Sequence, residues 1–221
     1  MSVLNKLSTT LHRKDSRPNM ILARELVENT NIEGIQEIIE NLRNKDKKVS
    51  SDCLKVAYEI GRLKPELISD YAQIFIDLLK SSNNRMVWGA MQVLSTLALV
   101  SSQTLLKNLP VLQSAIKRGS VITVDKGILT LAKLASISEE TNNLIFPYLL
   151  EHLRTCRTRE VPQHAESTML AVTEKNRVEF LEAISQREPY MTKPQARRIK
   201  RIIAQIEKQQ THYTPTILKI R

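Results

Sequence analysis

The chain has 221 residues and a formal net charge of +10, with 42% hydrophobic and 25% charged residues, which are ordinary values for a folded soluble protein. Only five glycines are present, and there is no glycine-rich phosphate loop, nucleophile elbow or HExxH motif, which argues against the common enzyme classes that use them. We therefore predict no enzymatic activity and no cofactor.

The positive charge is unevenly distributed. Residues 154–221 hold 14 Lys or Arg against 7 Asp or Glu, whereas residues 32–153 hold 14 against 13. An electrostatic interaction with an acidic partner or a nucleic acid is therefore expected first at the C-terminal end. The two cysteines, Cys53 and Cys156, fit no disulfide framework, which favours a reduced, cytoplasmic setting. No apolar run is long enough to cross a membrane, so no membrane association is predicted.

The predicted elements begin with an N-terminal arm and a helix over about residues 18–28, whose first turn suits Pro18. Five helical hairpins follow. Their first helices are predicted over residues 33–44, 66–81, 102–118, 139–155 and 175–187, and their second helices over 47–63, 84–100, 120–137, 159–173 and 193–208. We predict one domain, in which 1–32 form the arm and helix, 33–173 the regular repeats, 174–208 a capping hairpin and 209–221 a tail.

A 37-residue period underlies these hairpins. Large apolar residues recur in register at Leu42, Leu79, Ile116 and Leu153. Small residues recur at Cys53, Ala90, Gly127 and, one inserted residue later, Ala165. A glycine inside an exposed helix costs about 1 kcal/mol relative to alanine, so close helix packing is the expected reason for Gly127. Such a period predicts stacked hairpins, each packed on its neighbours.

Two further features of the hairpins are a proline and an acidic turn. A proline interrupts the first helix in Leu109-Pro110-Val111-Leu112, and Pro147 recurs 37 residues later, so we expect both helices to bend. An acidic turn, Asp46-Lys47-Lys48-Val49, precedes a second helix. With these features the hairpins resemble HEAT repeats. The resemblance implies an all-α fold: a right-handed α-α superhelix of the armadillo type, with about five hairpins and an N-terminal helix.

The resemblance also implies a binding surface on the second helices, which such superhelices usually make concave. The charged residues that we expect to line it are Lys48, Lys55, Arg62, Arg85, Lys126 and Lys133.

An enzymatic alternative rests on Arg85, Trp88 and Asp125. Trp88 and Asp125 are 37 residues apart, so they are expected side by side on neighbouring helices, with Arg85 one turn from Trp88. HEAT-like DNA alkylation-repair glycosylases use such a Trp, carboxylate and Arg on a damaged nucleotide, and the chain is similar to them in length, basicity and repeat type. The structural alternative is that Trp88 packs against Leu99 or Ile122 and that Asp125 caps its helix.

The terminal helix is predicted to be amphipathic. An isoleucine face opposes a basic ridge of Lys193, Arg197, Arg198, Lys200, Arg201 and Lys208. The ridge suits phosphates or an acidic peptide, and it equally suits the polar outer face of a capping repeat.

One further set of residues, His152, Cys156 and His164, has side chains of the types that bind metal ions. Its spacing matches no recognised ligand pattern, so these residues are predicted to be ordinary helix-end and loop residues, and no metal is predicted.

The function predicted from the sequence is a non-enzymatic scaffold that binds a protein or peptide on its second-helix surface. Nucleic-acid binding is the alternative. No small-molecule substrate is inferred.

Overall fold

The computed structural model describes residues 2–211, and these residues form helices and connecting loops without a β-strand. The described chain divides into two compact units, one that ends at Leu134 and one that starts at Ala135. The single domain expected from the repeat stays a prediction. The predicted tail lies outside the described residues apart from the last turn of the terminal helix.

The first unit contains the N-terminal helix and three hairpins. Its helices are α1 (Arg17–Glu28), α2 (Ile32–Glu40), α3 (Lys47–Leu63), α4 (Ala72–Leu78), α5 (Asn84–Leu97), α6 (Ser102–Lys107), α7 (Leu109–Arg118) and α8 (Val121–Ala135), the last of which ends at the unit boundary. Short 3-10 helices cover Val3–Lys6, Asn41–Arg43 and Pro65–Tyr71.

The second unit contains two hairpins, made by α9 (Glu139–Thr155) with α10 (Val161–Thr168) and by α11 (Arg177–Ser185) with α12 (Lys193–Thr211). Two 3-10 helices, Met169–Ala171 and Glu188–Tyr190, follow α10 and α11. The predicted all-α hairpin architecture is therefore confirmed within the described residues.

The two prolines expected to bend first helices behave differently. The helix predicted over residues 102–118 is broken at Asn108, and Pro110 lies in the first turn of α7. Proline is tolerated there because the first N–H groups of a helix have no partner within it. Pro147, in contrast, lies inside the uninterrupted helix α9.

The repeated apolar and small residues form the core, as predicted. Leu42, Leu79, Ile116 and Leu153 are at most 3% exposed. Cys53, Ala90, Gly127 and Ala165 are buried. A Cβ atom on Gly127 would lie 2.3 Å from Cγ1 of Ile116, so the close approach of α8 to α7 favours glycine at this position.

The N-terminal arm is bonded to the first hairpin. The backbone N–H of Thr9 donates to Oδ2 of Asp52 at 2.7 Å, and Nδ2 of Asn19 donates to its Oδ1 at 2.8 Å. The backbone N–H of Val3 donates to Glu37 at 2.8 Å. These bonds hold the arm beside the N-terminal half of α3, where the candidate site lies.

Among the described residues, no helix combines the length and the apolar character that spanning a lipid bilayer would require.

Candidate functional site

Two adjoining cavities open at the N-terminal ends of α3 and α5 in the first unit. Their volumes are about 350 and 430 Å³. Both cavities are lined by Ser16, Ser51, Asp52 and Arg85. We call the two cavities together the basic groove, after its charged lining residues Arg13, Lys14, Asp15, Lys47, Lys48, Asp52, Lys55 and Arg85.

The 37-residue repeat places the basic residues of α3 and α5 at equivalent positions. Asp46 and Asn83 are the N-caps of these helices, and their side chains accept hydrogen bonds from the backbone N–H groups of Lys48 and Arg85, at 2.8 and 3.0 Å. Polar caps of this kind fix where a helix begins. Lys48 and Arg85 therefore lie at equivalent positions in the first turns of α3 and α5, and both line the 430 Å³ cavity.

The groove carries more positive than negative charge. Asp15 is bound by the guanidinium of Arg13, with N···O distances of 3.0 and 2.8 Å, and this hydrogen bond holds the pKa of Asp15 below its usual value. Lys55 binds Glu59 at 2.5 Å. Lys14, Lys47, Lys48 and Arg85 form no ion pair with another described residue. The N-terminal ends of two helices add partial positive charge at the same place.

Asp52 lines both cavities of the groove. Its two oxygens accept from Thr9 and Asn19, as described above. The carboxylate therefore joins the arm, α1 and α3, and much of its charge is already compensated by these donors.

Trp88 and Arg85 line the 350 Å³ cavity together, as their spacing predicts. Ile122 of α8 lines the same cavity, and the packing of Trp88 against Leu99 or Ile122 stays a prediction. Asp125 is half-buried, and it does not line the cavity within the part of the chain that the structure describes. The expected grouping of Asp125 with Trp88 and Arg85 in one site stays a prediction.

The other residues predicted for the second-helix surface lie outside the groove. Arg62 binds Glu59 at 3.0 Å, near the C-terminal end of α3. Nζ of Lys133 donates to the backbone carbonyl of Ser95 at 2.7 Å, and burial, followed by the charge of Lys126, lowers the pKa of Lys133. Of the predicted set, Lys48, Lys55, Arg85 and Trp88 come together in the groove, and Arg62, Lys126 and Lys133 do not.

The terminal helix α12 has the predicted amphipathic form. Ile199, Ile202 and Ile206 are at most 3% exposed, whereas Arg197 and Arg201 are exposed.

Two cations of the α12 ridge pair with acidic residues. Arg198 donates two hydrogen bonds to Glu166 of α10, at 2.9 and 2.7 Å, and Lys200 binds Glu188 at 3.3 Å. The ridge is therefore less positive than the sequence suggests, and Arg198 joins α12 to α10 within the second unit.

The contribution of the N-terminal arm to the groove was not predictable from the repeat pattern. Arg13, Lys14 and Asp15 precede the first repeat, so the 37-residue alignment could not relate them to α3 and α5. Lys47 directly follows the N-cap Asp46, and its position in the repeat did not by itself indicate that it lines the groove.

No protein-family model matches the sequence, and no curated protein sequence matches it. Solved structures do match. An engineered protein aligns with a TM-score of 0.63 and 16% identity, over 94% of this chain and 98% of its own. A designed armadillo repeat protein in complex with the peptide (KR)4 aligns with a TM-score of 0.61 and 13% identity, over 92% of this chain and 99% of its own.

A second engineered protein aligns with a TM-score of 0.60 and 16% identity, over 92% of this chain and 58% of its own. At these identities the likeness concerns the fold alone. The chain has the fold of an armadillo/HEAT-like helical repeat solenoid.

Proposed function

We propose that the protein is a binding scaffold whose basic groove takes an acidic peptide segment of a partner protein. The observation that carries this proposal is the set of four cations, Lys14, Lys47, Lys48 and Arg85, which surround the groove and form no ion pair with a described residue. Cations held near one another without a counter-charge attract a multiply charged anion, and they favour one whose carboxylates can reach several of them.

The wall of the groove also supports a peptide. Trp88 offers a large apolar surface, and Asn83 and Gln92 can exchange hydrogen bonds with a peptide backbone. The designed armadillo repeat protein is in complex with a peptide made of Lys and Arg. The basic groove has the same sign of charge as that peptide, so the expected ligand of the groove is an acidic sequence instead.

The nucleic-acid alternative requires a continuous track of Lys and Arg, because each phosphate contact contributes separately to affinity. On α12, Arg198 and Lys200 are engaged by Glu166 and Glu188, which shortens the track predicted there. The glycosylase extreme also requires a carboxylate beside Trp88. The carboxylate in that cavity belongs to Asp52, whose oxygens are both bonded to the arm and α1.

Fluorescence anisotropy with labelled peptides tests the proposal. An acidic octapeptide of alternating Asp and Glu is expected to bind, and a (KR)4 peptide is not. Trp88 is the one tryptophan of the chain, so its emission should change when the acidic peptide binds. A single-stranded and a duplex oligonucleotide are titrated in parallel, and tighter binding of either would favour the nucleic-acid alternative.

A charge-reversal pair gives the decisive comparison. Lys48→Glu with Arg85→Glu should weaken acidic peptide binding by about 10- to 50-fold, since each reversal changes the interaction by about 1 kcal/mol at surface distances. Lys107→Glu with Lys117→Glu makes the same change in net charge at exposed positions of α6 and α7, outside the groove. An equal loss of peptide affinity in the two double variants would mean that only net charge matters, and it would refute binding in the basic groove.

A further inference from the structure

The second unit contains a cluster of metal-ligating side chains that the groove does not use. His152, Cys156 and His164 each offer one ligand atom, and these atoms all lie within 4.8 Å of one another. Nε2 of His152 and Nδ1 of His164 are 2.9 Å apart. His164 is completely buried, and the other two side chains are half-buried.

Local helix geometry explains the convergence. His152 and Cys156 are four residues apart at the C-terminal end of α9, where the N–H of Cys156 still donates to the carbonyl of His152 at 2.8 Å, so both side chains lie on one face. His164 lies on α10, which returns beside α9 after the hairpin turn.

Arg187 holds the cysteine in place from outside the cluster. Its guanidinium donates to the carbonyl of Cys156 at 2.7 Å and to that of Leu153 at 3.1 Å, and it also contacts the carbonyl of Arg154. It further reaches the hydroxyl of Thr158 at 3.3 Å. The end of α9 is therefore fixed in a conformation that keeps Cys156 beside the two imidazoles.

We propose that His152, Cys156 and His164 bind a Zn²⁺ ion. Imidazole nitrogens and a thiolate are the ligands that this borderline-soft ion prefers, and three protein ligands leave one tetrahedral position for a water molecule. On binding, the Cys156 thiol loses its proton to the buffer and a Zn–S bond forms, while the imidazoles bind as neutral ligands, so one proton is released per ion.

The observed separations are close to those of a metal site. Bond lengths of about 2.0 to 2.1 Å to nitrogen and about 2.3 Å to sulfur place tetrahedral N···N and N···S pairs about 3.3 and 3.6 Å apart. The two imidazole nitrogens, now 2.9 Å apart, would separate by a few tenths of an ångström. The wider separations, which are at most 4.8 Å, would close by a small rotation of side chains. The bound ion would replace the His152–His164 hydrogen bond and join α9 to α10.

Cobalt titration of the full chain, without a polyhistidine tag and with the thiols kept reduced, tests the proposal. Co²⁺ takes the same ligands as Zn²⁺ and reports a thiolate ligand by a charge-transfer absorption. We expect one Co²⁺ per chain with this absorption, and its loss when one equivalent of Zn²⁺ is added. Absence of the thiolate absorption in the wild-type protein would overturn the proposal.

Three variants locate the site. Cys156→Ser should abolish the thiolate absorption and weaken Zn²⁺ binding at least 100-fold. Cys53→Ala, which removes the other cysteine of the chain from the first unit, should leave both unchanged. His152→Asn retains the thiol and should weaken binding at least tenfold, so it decides the question if Cys156→Ser does not fold. Equal Zn²⁺ binding by a folded His152→Asn variant and by the wild-type protein would overturn the proposal. This outcome is independent of whether the basic groove of the first unit binds a peptide.

Discussion

Gly127→Ala tests whether the small-residue positions of the repeat exist because of helix packing. The new methyl group would lie 2.3 Å from Cγ1 and 2.8 Å from Cδ1 of Ile116, which is 3% exposed. Ile116 is β-branched and confined between helices, so it cannot rotate away without strain. The methyl group of Met91, 3.5 Å from the new atom, is in ordinary contact.

Two opposing effects determine how much Gly127→Ala changes the free energy of unfolding. Overpacking of a core costs about 1 to 3 kcal/mol, whereas replacing a mid-helix glycine by alanine gains about 1 kcal/mol in helix propensity. We therefore expect Gly127→Ala to change the free energy of unfolding by between zero and about 2 kcal/mol, in the destabilising direction. Ile116→Ala alone should cost about 2 to 5 kcal/mol because it leaves a cavity. The Ile116→Ala variant lacks the Cγ1 and Cδ1 atoms that the new methyl group would meet. In that variant Gly127→Ala should therefore stabilise the protein by about 1 kcal/mol.

Urea unfolding of the wild-type protein, the two single variants and the double variant completes a double-mutant cycle. Both positions belong to the first unit, so tryptophan emission from Trp88 reports on the relevant transition. A coupling energy of about 1 to 3 kcal/mol that favours the double variant is expected. If Gly127→Ala had the same effect in both backgrounds, the contact between α8 and α7 would not be the reason for the glycine.

Leu94→Ala should cost about 2 to 5 kcal/mol in urea unfolding, because this fully buried side chain of α5 would leave a cavity, and a loss below about 1 kcal/mol would contradict its placement in the core. Asp52→Ala should cost about 1.5 to 3 kcal/mol through its lost charged hydrogen bonds, and it should hasten proteolytic cleavage in the N-terminal arm; unchanged cleavage would mean that the bonds to Thr9 and Asn19 do not hold the arm. In chelator-treated protein, burial and the neighbouring His164 lower the pKa of His152 to about 4, so its contribution to stability is complete above about pH 6.5 and is lost as the pH falls to about 4. Because His152 is partly exposed, the loss in thermal or urea unfolding should be at most about 2 kcal/mol, and it should be absent from His152→Asn; an equal acid response in that variant would assign the titration elsewhere. Neither the wild-type protein nor Asp125→Asn should release alkylated bases from DNA, and release by the wild type alone would establish the glycosylase alternative.

Most of the fold was predictable because it depends on local patterns. The alternation of apolar and polar residues with the period of a helix, and the caps at Asp46 and Asn83, act within a few residues, so they indicate where helices begin and which face is buried. The 37-residue recurrence of the apolar residues then predicts the stacking of hairpins. What the local pattern could not resolve was the break at Asn108, since Pro110 and Pro147 occupy equivalent repeat positions and only one of them starts a helix.

The candidate functional surfaces depend on contacts between residues that are far apart in sequence. Periodicity placed Lys48 and Arg85 side by side, but it carried no information on the arm, which the bonds to Asp52 bring against α3. The pairing of Arg198 with Glu166 and the convergence of His164 on Cys156 likewise required the packing of separate helices. The sequence alone therefore determined the helices, their order and their buried faces, because those follow from short-range propensity and hydrophobic periodicity. Tertiary structure decided which polar groups meet, because side-chain hydrogen bonds and ion pairs require alignment to within a few tenths of an ångström, and only the packed hairpins set that alignment.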